Sequence, residues 1–240
     1  MGLFSKKTNN IYYAAPNGPE MSFVSTEAFN TIRTNLRFSR TSENEASVIA
    51  ITSSTPNDGK SYVAINTAYS LAKSGLKVLL MDGDLRKPTI AKKLNMKNVQ
   101  GLTELILGMA KFKDVIVKNV FNESLDILMS GTIPPNPSEL LSSDEMKDIV
   151  RNLKSKYDYI IVDMPPVESV IDTIALAEVL DGVVMVVRHN LTRRSTLKES
   201  LRQLDFAGIK ILGFVYNGYE IENRYYYNNY SYRYYYKNYR

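Results

Sequence analysis

The chain has 240 residues, 44% of them hydrophobic, with a formal net charge of +5 at pH 7. This supplies enough apolar material for one sizeable domain. The lack of cysteine excludes disulfides, thiolate metal sites and a cysteine nucleophile, and a single histidine, His189, leaves no multi-histidine metal site. The longest apolar runs are strand-sized, well short of the ~20 residues that cross a bilayer. We therefore expect a cytoplasmic protein without a secretion signal.

The N-terminal region divides into an arm and a helix. Residues 1–24 contain Asn, Pro, Gly and Ser without periodicity, which predicts a flexible arm. Apolar side chains then recur at helical spacing, which predicts an amphipathic helix over 25–40. We expect the folded domain to span 25–221 and a tail to occupy 222–240. The apolar positions of the helix are Phe29, Ile32 and Leu36.

Apolar, strand-sized runs then alternate with helix-sized segments. Strands that are apolar on both faces and separated by helices indicate a parallel sheet covered on both sides. The prediction is a doubly wound α/β domain with a mostly parallel sheet, whose ligand lies beyond the carboxyl ends of the strands. The predicted strands are Val48–Thr52, Val78–Met81, Leu125–Leu128, Tyr159–Val162, Val183–Val187 and Ile209–Tyr216, and the predicted helices are 61–74, 87–95, 101–108, 138–155, 171–180 and 193–206.

The first strand leads into an imperfect phosphate-binding loop, Pro56-Asn-Asp-Gly-Lys-Ser61. A tight loop before a helix directs backbone N–H groups and the helix dipole at an anion. Lys60 supplies a positive charge for phosphate oxygens, and the Ser61 hydroxyl is a ligand for Mg²⁺. The strict motif has Gly where Ser54 stands, but Asn57 is able to adopt a left-handed conformation at tolerable cost.

The second strand ends in two acids, Asp82 and Asp84. Side chains two apart in an extended chain share a face, so both are expected to point into the crevice. Two carboxylates would repel a triphosphate unless a divalent cation lay between them, so the pair predicts Mg²⁺. One of them is also suited to accept a proton from an incoming hydroxyl. Taken alone, the Asp-Gly sequence is more typical of a solvated turn.

A third strand also ends in an acid, Asp163. A carboxylate directly after four apolar strand residues is a Walker B arrangement, which holds Mg²⁺ directly or through water. Each strand-end acid alone is compatible with a turn. Three of them together with Gly-Lys-Ser in one parallel sheet predict a site for a nucleoside triphosphate.

The C-terminal tail has a composition unlike the rest of the chain. Nine of its last sixteen residues are tyrosine, and no aliphatic residue follows Ile221. Such a segment has nothing with which to build a core, so we expect it to be disordered and its tyrosines to be substrates. A sticky low-complexity terminus is the plain alternative. The tyrosines are Tyr225, Tyr226, Tyr227, Tyr230, Tyr232, Tyr234, Tyr235, Tyr236 and Tyr239.

From about Glu27 to the tail, the chain resembles the bacterial tyrosine kinases, in the cytoplasmic form found in Gram-positive capsule and exopolysaccharide operons. The implied fold is a P-loop NTPase of the MinD/ParA-like type with a deviant Walker motif. The segments that carry the resemblance are Pro56–Ser61 (Walker A), Leu79–Pro88 (Walker A′), Gly101–Leu105, Gly131–Leu141, Tyr157–Pro166 and the tyrosine tail.

The resemblance implies an ATP-dependent protein-tyrosine kinase that phosphorylates its own tail in trans. Lys60 would bind the β- and γ-phosphates of ATP, and Asp82 would be the base for the tyrosine hydroxyl. Asn217 stands where related P-loop proteins contact adenine. The implied Mg²⁺ ligands are Ser61, Asp84 and Asp163, and the implied nucleotide-binding residues are Asp58, Gly59, Lys60, Ser61, Tyr62 and Asn217.

The resemblance also implies that the chain assembles into a ring-shaped octamer. It further implies two partners: a tyrosine phosphatase and a transmembrane polysaccharide chain-length regulator. The regulator would activate the kinase and recruit it to the inner face of the membrane. The N-terminal helix of the family often carries Glu-x-x-Arg-x-x-Arg between subunits. Here Glu27 and Arg33 match, but Asn30 replaces the middle arginine, and Arg37 is a candidate to compensate. A second departure is Asn57-Asp58 in place of Gly-Glu before Gly-Lys-Ser.

Three other functions fit parts of the sequence. A MinD/ParA-type positioning ATPase shares the fold and Asp163 but needs no tyrosine tail. A nucleotide-binding scaffold would use the tail as an adhesive element. Basic residues between the tail aromatics could also stack on single-stranded nucleic acid, although we expect no nucleic-acid partner. Phosphotyrosine on the tail that disappears with Lys60→Met would separate the kinase from the ATPase and the scaffold.

Overall fold

The structure is a computed structural model that describes residues 18–19, 21–40 and 45–219. Most of the predicted arm and all of the predicted tail, including its tyrosines, lie outside the described residues. Within the described part, no helix combines the length and apolar character that a membrane crossing requires.

The elements alternate as predicted, with every long apolar run forming a strand. The strands are β1 Ser47–Ser53, β2 Val78–Asp82, β3 Ile116–Val117, β4 Leu125–Leu128, β5 Tyr159–Asp163, β6 Gly182–Arg188 and β7 Ile211–Asn217. The helices are α1 Phe23–Ser39, α2 Lys60–Lys73, α3 Ile90–Lys93, α4 Leu102–Ile106, α5 Phe112–Val115, α6 Pro137–Leu141, α7 Asp144–Lys154, α8 Asp172–Ala175 and α9 Arg194–Phe206, with a 3₁₀ turn at Ala177–Val179.

The strands form one seven-stranded sheet in the order β3-β4-β2-β5-β1-β6-β7, and all neighbours are parallel except β3 and β4. Alternate residues of β1 enter two separate cores: Val48 and Ala50 face one side, and Ile49 and Ile51 face the other. Helices α1 and α2 cover the second side, whereas α7 and α9 cover the first. The predicted doubly wound, mostly parallel α/β fold is confirmed.

Several local predictions differ from the structure. Helix α1 begins at Phe23, two residues before the predicted domain boundary, because the Ser22 hydroxyl caps it by accepting a hydrogen bond from the Ser25 N–H. The helix predicted over 138–155 is two helices, and Ser143 caps the second of them by accepting from the Met146 N–H. Strand β3 was not predicted, because two residues are too few to show a period.

Candidate active site

The loop between β1 and α2 has the conformation of a phosphate-binding loop. Gly59 has φ +98°, and a Cβ there would lie 2.1 Å from the Asn217 Nδ2 atom, so no other residue fits without rearrangement. Asn217 in turn donates a 2.9 Å hydrogen bond to the backbone carbonyl of Asp58. Asn57 has φ +68°, the left-handed conformation that its side chain was expected to tolerate.

The Asp58 side chain holds the loop together rather than facing a ligand. It is fully buried, and its carboxylate accepts hydrogen bonds from the Thr55 N–H and hydroxyl, both at 3.1 Å. The Thr192 hydroxyl, from the segment between β6 and α9, donates a third at 3.0 Å. The Arg188 guanidinium also donates to the Asn57 carbonyl. Asp58 therefore has only backbone groups left to offer a nucleotide.

Lys60, the first residue of α2, lies among the three strand-end acids. Its ammonium is 3.1 Å from an Asp84 carboxylate oxygen and 3.9 Å from an Asp163 oxygen. Burial alone would lower the pKa of Lys60, but the negative charges of Asp163, Asp84 and Asp82 outweigh it and raise the pKa. The lysine is thus charged and held where the predicted phosphates would meet it.

Asp82 and Asp163 stand side by side, as paired residues at the ends of β2 and β5. Both are fully buried. Burial raises the pKa of Asp163 to about 6, against the opposing effects of the Lys60 charge and the nearby Ser61 hydroxyl. Burial, followed by the charge of Asp163, raises the pKa of Asp82 well above its ordinary value, although the Ile90 N–H donates to one oxygen at 3.2 Å.

Three buried carboxylate oxygens have no hydrogen-bond partner of normal geometry among the described residues: the Oδ1 atom of Asp82 and both oxygens of Asp163. Unpartnered buried acceptors are costly, so they point to a missing ligand. Ser61 lies beside them and accepts a 2.8 Å hydrogen bond from the Thr89 hydroxyl, a neighbour that the sequence did not reveal. Such hard oxygen donors suit Mg²⁺.

The described residues contain no group of three or more acidic or histidine side chains spaced to hold a metal ion by themselves. Asp84 also uses one oxygen for Lys60 and the other for the Lys87 N–H. A cation at this edge would therefore need water and phosphate oxygens as further ligands, which is how Mg²⁺ is ordinarily bound at nucleotide sites.

The Tyr62 side chain packs against α1. Its ring contacts Phe29 of α1 edge-to-face, with centroids 5.9 Å apart, and burial raises its pKa. The predicted interface residues of α1 also have contacts within the chain. Glu27 accepts a 3.0 Å hydrogen bond from Asn30, which stands at the position of the missing arginine, and Arg33 donates to the Ser70 carbonyl at 3.1 Å.

One network near the site joins residues that sequence reasoning did not connect. The Arg86 guanidinium donates to both oxygens of the buried Asp172, at 2.9 and 3.0 Å. Ser138 donates to the same carboxylate at 2.7 Å and accepts from Arg86. This gives a physical role to Ser138 in the Gly131–Leu141 segment, because it connects α6 to the segment after β2 that carries Asp84 and Arg86.

A second network joins two of the segments that carried the resemblance. Glu104, near the N-terminus of α4, accepts hydrogen bonds from the Gly101 N–H at 2.7 Å and from the Thr132 N–H and hydroxyl at 3.1 and 2.6 Å. A Cβ on Gly131 would lie 2.0 Å from its carboxylate. Burial would raise the pKa of Glu104, but these donors outweigh it and lower the pKa.

The chain matches the model of a known family and two named kinases. Residues 46–205 match the family described as AAA domain. The tyrosine-protein kinase YwqD of Bacillus subtilis (strain 168) is 38% identical over 213 residues, covering 88% of this chain and 89% of that protein. The tyrosine-protein kinase CpsD of Streptococcus agalactiae is 35% identical over 193 residues, covering 80% and 82%.

Two solved structures are also similar to this chain. The crystal structure of the chimerical protein CapA2B2 has a TM-score of 0.76 and 37% identity, and the match covers 81% of this chain and 84% of that one. The septum site-determining protein MinD of Pyrococcus horikoshii OT3, complexed with Mg-ADP, has a TM-score of 0.59 and 26% identity, with coverage of 70% and 69%.

Proposed function

The chain belongs to the bacterial tyrosine-protein kinases of the Gram-positive capsule type, and from this we propose that it transfers the γ-phosphoryl group of ATP to tyrosines in the tail of another copy. One observation carries the proposal: Lys60 and three strand-end acids converge at a loop whose Gly59 leaves no room for a side chain. The positioning ATPase would use the same site, so it is the relatives named tyrosine-protein kinases that favour the kinase.

Phosphoryl transfer depends on positioning and charge neutralisation. In the proposed arrangement, Lys60 releases its contact with Asp84 and binds the β- and γ-phosphates, and the backbone N–H groups of the loop hold the same phosphates. The Ser61 hydroxyl and the unpartnered oxygens of Asp163 fit Mg²⁺, directly or through water. When bound, Mg²⁺ would neutralise the charge that develops on the phosphate oxygens.

Asp82 is the proposed base. The tyrosine oxygen forms a bond to the γ-phosphorus while the bond to the bridging oxygen of ADP breaks, and the hydroxyl proton passes to the Asp82 carboxylate. The Oδ1 atom of Asp82 has no hydrogen-bond partner in the described part of the chain. Because the pKa of Asp82 is raised, the carboxylate is a stronger base than an ordinary aspartate.

A mixing experiment tests transfer in trans. A catalytically inactive Lys60→Met chain with an intact tail is mixed with active chain that ends at Asn223, in the presence of Mg·ATP. Phosphotyrosine on the Lys60→Met chain is expected, since its tail is the only one present. Each protein alone is the control. If the mixture stays unmodified while the full-length wild type is phosphorylated, transfer within one chain is the mechanism instead.

The remaining proposals concern assembly. We infer that the chain forms a homo-oligomeric ring in which Glu27 and Arg33 of α1 lie between subunits. The resemblance to the family implies that the ring has eight subunits. Sedimentation velocity of Arg33→Ala beside Lys198→Ala, an exposed lysine of α9, tests it: only the first is expected to lower the oligomeric state. Equal sedimentation of both variants and wild type would place the interface elsewhere.

We also infer that a transmembrane chain-length regulator recruits this kinase to the inner face of the membrane and raises its activity. A tyrosine phosphatase would reverse the modification. The resulting cycle of phosphorylation and dephosphorylation would control capsular or exopolysaccharide synthesis and export. The likeness to the tyrosine-protein kinases YwqD and CpsD supports these proposals. Co-sedimentation with membranes that contain or lack the regulator tests recruitment; equal binding to both membranes would contradict it.

A further inference from the structure

A cavity lies at the end of the sheet opposite the proposed active site; we call it the basal cavity. It has a volume of about 280 Å³ and is lined, among the described residues, by Arg37, Arg40, Leu76 and Tyr159. Tyr159 begins β5 and Asp163 ends it, so the two ends of that strand are about 13 Å apart at the usual rise of a strand. The basal cavity is therefore separate from the nucleotide edge.

Two of the four described residues that line this cavity carry a positive charge. The Arg40 guanidinium lies 5.5 Å from the centre of the Tyr159 ring and donates a 3.0 Å hydrogen bond to the Glu45 carbonyl, which fixes its position. Arg37 is exposed, and no carboxylate of the described residues forms an ion pair with it. Two guanidiniums thus border one small space.

The Tyr159 hydroxyl is the second observation. The residue is fully buried, yet its hydroxyl oxygen has no hydrogen-bond partner among the described residues. Burial raises the pKa of Tyr159 while the charges of Arg40 and Arg37 oppose the rise, so both guanidiniums act on this phenol. A buried hydroxyl that donates to nothing is costly, and an acceptor entering the cavity would remove that cost.

We propose that the basal cavity binds a phosphate monoester, namely a phosphotyrosine of the tail of this protein. A phosphomonoester carries about −1.5 to −2 charges and three acceptor oxygens, which match two guanidinium forks and one phenolic hydroxyl better than a carboxylate does. The Leu76 side chain and the Tyr159 ring offer an apolar wall for the phenyl group.

The tail as the source of the phosphate rests on the proposed function, whereas the oxyanion cavity does not. The unmodified tail carries four basic residues (Arg224, Arg233, Lys237 and Arg240) and would be repelled by the two arginines. Phosphorylation of three or four tyrosines reverses that charge. The cavity would therefore hold the product of the reaction at the end of the sheet remote from the catalytic acids.

The test measures binding without ATP, so that its failure is distinct from a failure of catalysis. A fluorescently labelled peptide with the sequence of residues 230–240, phosphorylated at Tyr234, Tyr235 and Tyr236, is titrated with the chain ending at Asn223. We expect binding by the phosphorylated peptide only, weakened about tenfold or more by Arg37→Gln and severalfold by Tyr159→Phe. Arg202→Gln, an exposed arginine of α9, is the matched control.

Each outcome decides the proposal. Equal loss with Arg37→Gln and Arg202→Gln, or no binding of either the phosphopeptide or inorganic phosphate, would overturn the cavity as an oxyanion site. Equal binding of the unphosphorylated peptide would overturn the requirement for phosphate. Inorganic phosphate should raise the thermal unfolding temperature of the wild-type protein but not that of Tyr159→Phe. If it does so and the phosphopeptide binds no better than free phosphate, the cavity is an oxyanion site but the tail is excluded as the source of the phosphate group.

Discussion

The two ends of the sheet differ in charge and in how that charge is balanced. At the carboxyl end, three acids surround one lysine, and three carboxylate oxygens have no hydrogen-bond partner among the described residues. At the amino end, two arginines border a buried phenol whose hydroxyl has no hydrogen-bond partner in the described part of the chain. Each end fits a ligand of opposite character: a cation with its phosphates at the first, and an oxyanion at the second.

The difference in charge would let one short, basic tail interact with both ends of the sheet. An unmodified tail would be attracted to the acidic edge, and a phosphorylated tail to the basic one. Electrostatic attraction of this kind acts within about 10 Å at moderate salt, which is shorter than the length of β5. The two ends would therefore act on different chemical states of the tail, and substitutions at either end should affect separate measurements.

The largest effect is expected at the carboxyl end from Asp82→Asn. Loss of the base should lower the rate of phosphotyrosine formation by roughly 10²–10⁴-fold. Stability should be retained, because a neutral amide replaces a buried carboxylate whose pKa is already raised. Quantitative mass spectrometry of tail modification over time measures the rate, with Asp205→Asn, an exposed acid of α9, as control. A rate within tenfold of wild type would remove Asp82 from the chemistry.

A smaller effect is expected beside the same edge from Asp172→Asn. The buried carboxylate accepts hydrogen bonds from Arg86 and Ser138, so its loss should lower the unfolding free energy by about 1–3 kcal/mol. This loss is smaller than the loss expected for a fully buried ion pair, because Arg86 is partly exposed. Urea unfolding measures it. Asp148→Asn removes an exposed pair with Arg151 and should change stability by less than about 0.5 kcal/mol. Equal effects would mean that the network is not structural.

The next effect depends on pH. The folded-state pKa of Glu104 lies below its ordinary 4.5, so its ionised form stabilises the fold above that pH, and the contribution is lost as the pH falls through the lower folded-state value. Glu104→Gln should therefore cost about 1–2 kcal/mol at pH 7 and less near pH 3. Glu199→Gln, on the surface of α9, is the control. A constant difference from pH 7 to pH 3 would contradict the assignment.

The smallest effect is expected at the amino end from Tyr159→Phe in phosphate-free buffer. No described residue forms a hydrogen bond with the hydroxyl, so its removal should leave the unfolding free energy within about 0.5 kcal/mol of wild type or raise it. Tyr157→Phe is the matched comparison, because the Tyr157 hydroxyl donates to Asp126 at 2.7 Å and its loss should cost about 1–2 kcal/mol. A larger loss at Tyr159 than at Tyr157 would show that the phenol is already satisfied.

The sequence predicted that the acids meet at the carboxyl end of the sheet, but it did not predict the cavity at the amino end. Apolar runs and the acids that follow them are local patterns, so Asp82 and Asp163 could be placed at one edge before the structure showed them paired. Arg86 and Asp172 are 86 positions apart, and Glu104 and Thr132 are 28 apart. No local pattern connects residues at such separations. The cavity at Tyr159 likewise depends on how the end of α1 packs over β5.

Intact mass of the full-length protein after incubation with Mg·ATP tests the central claim most directly, beside Lys60→Met and a chain that ends at Asn223. We expect steps of about 80 Da, one for each phosphate, in the wild type and in neither variant. ATP consumption by the wild type without any such step would contradict a tail-directed tyrosine kinase.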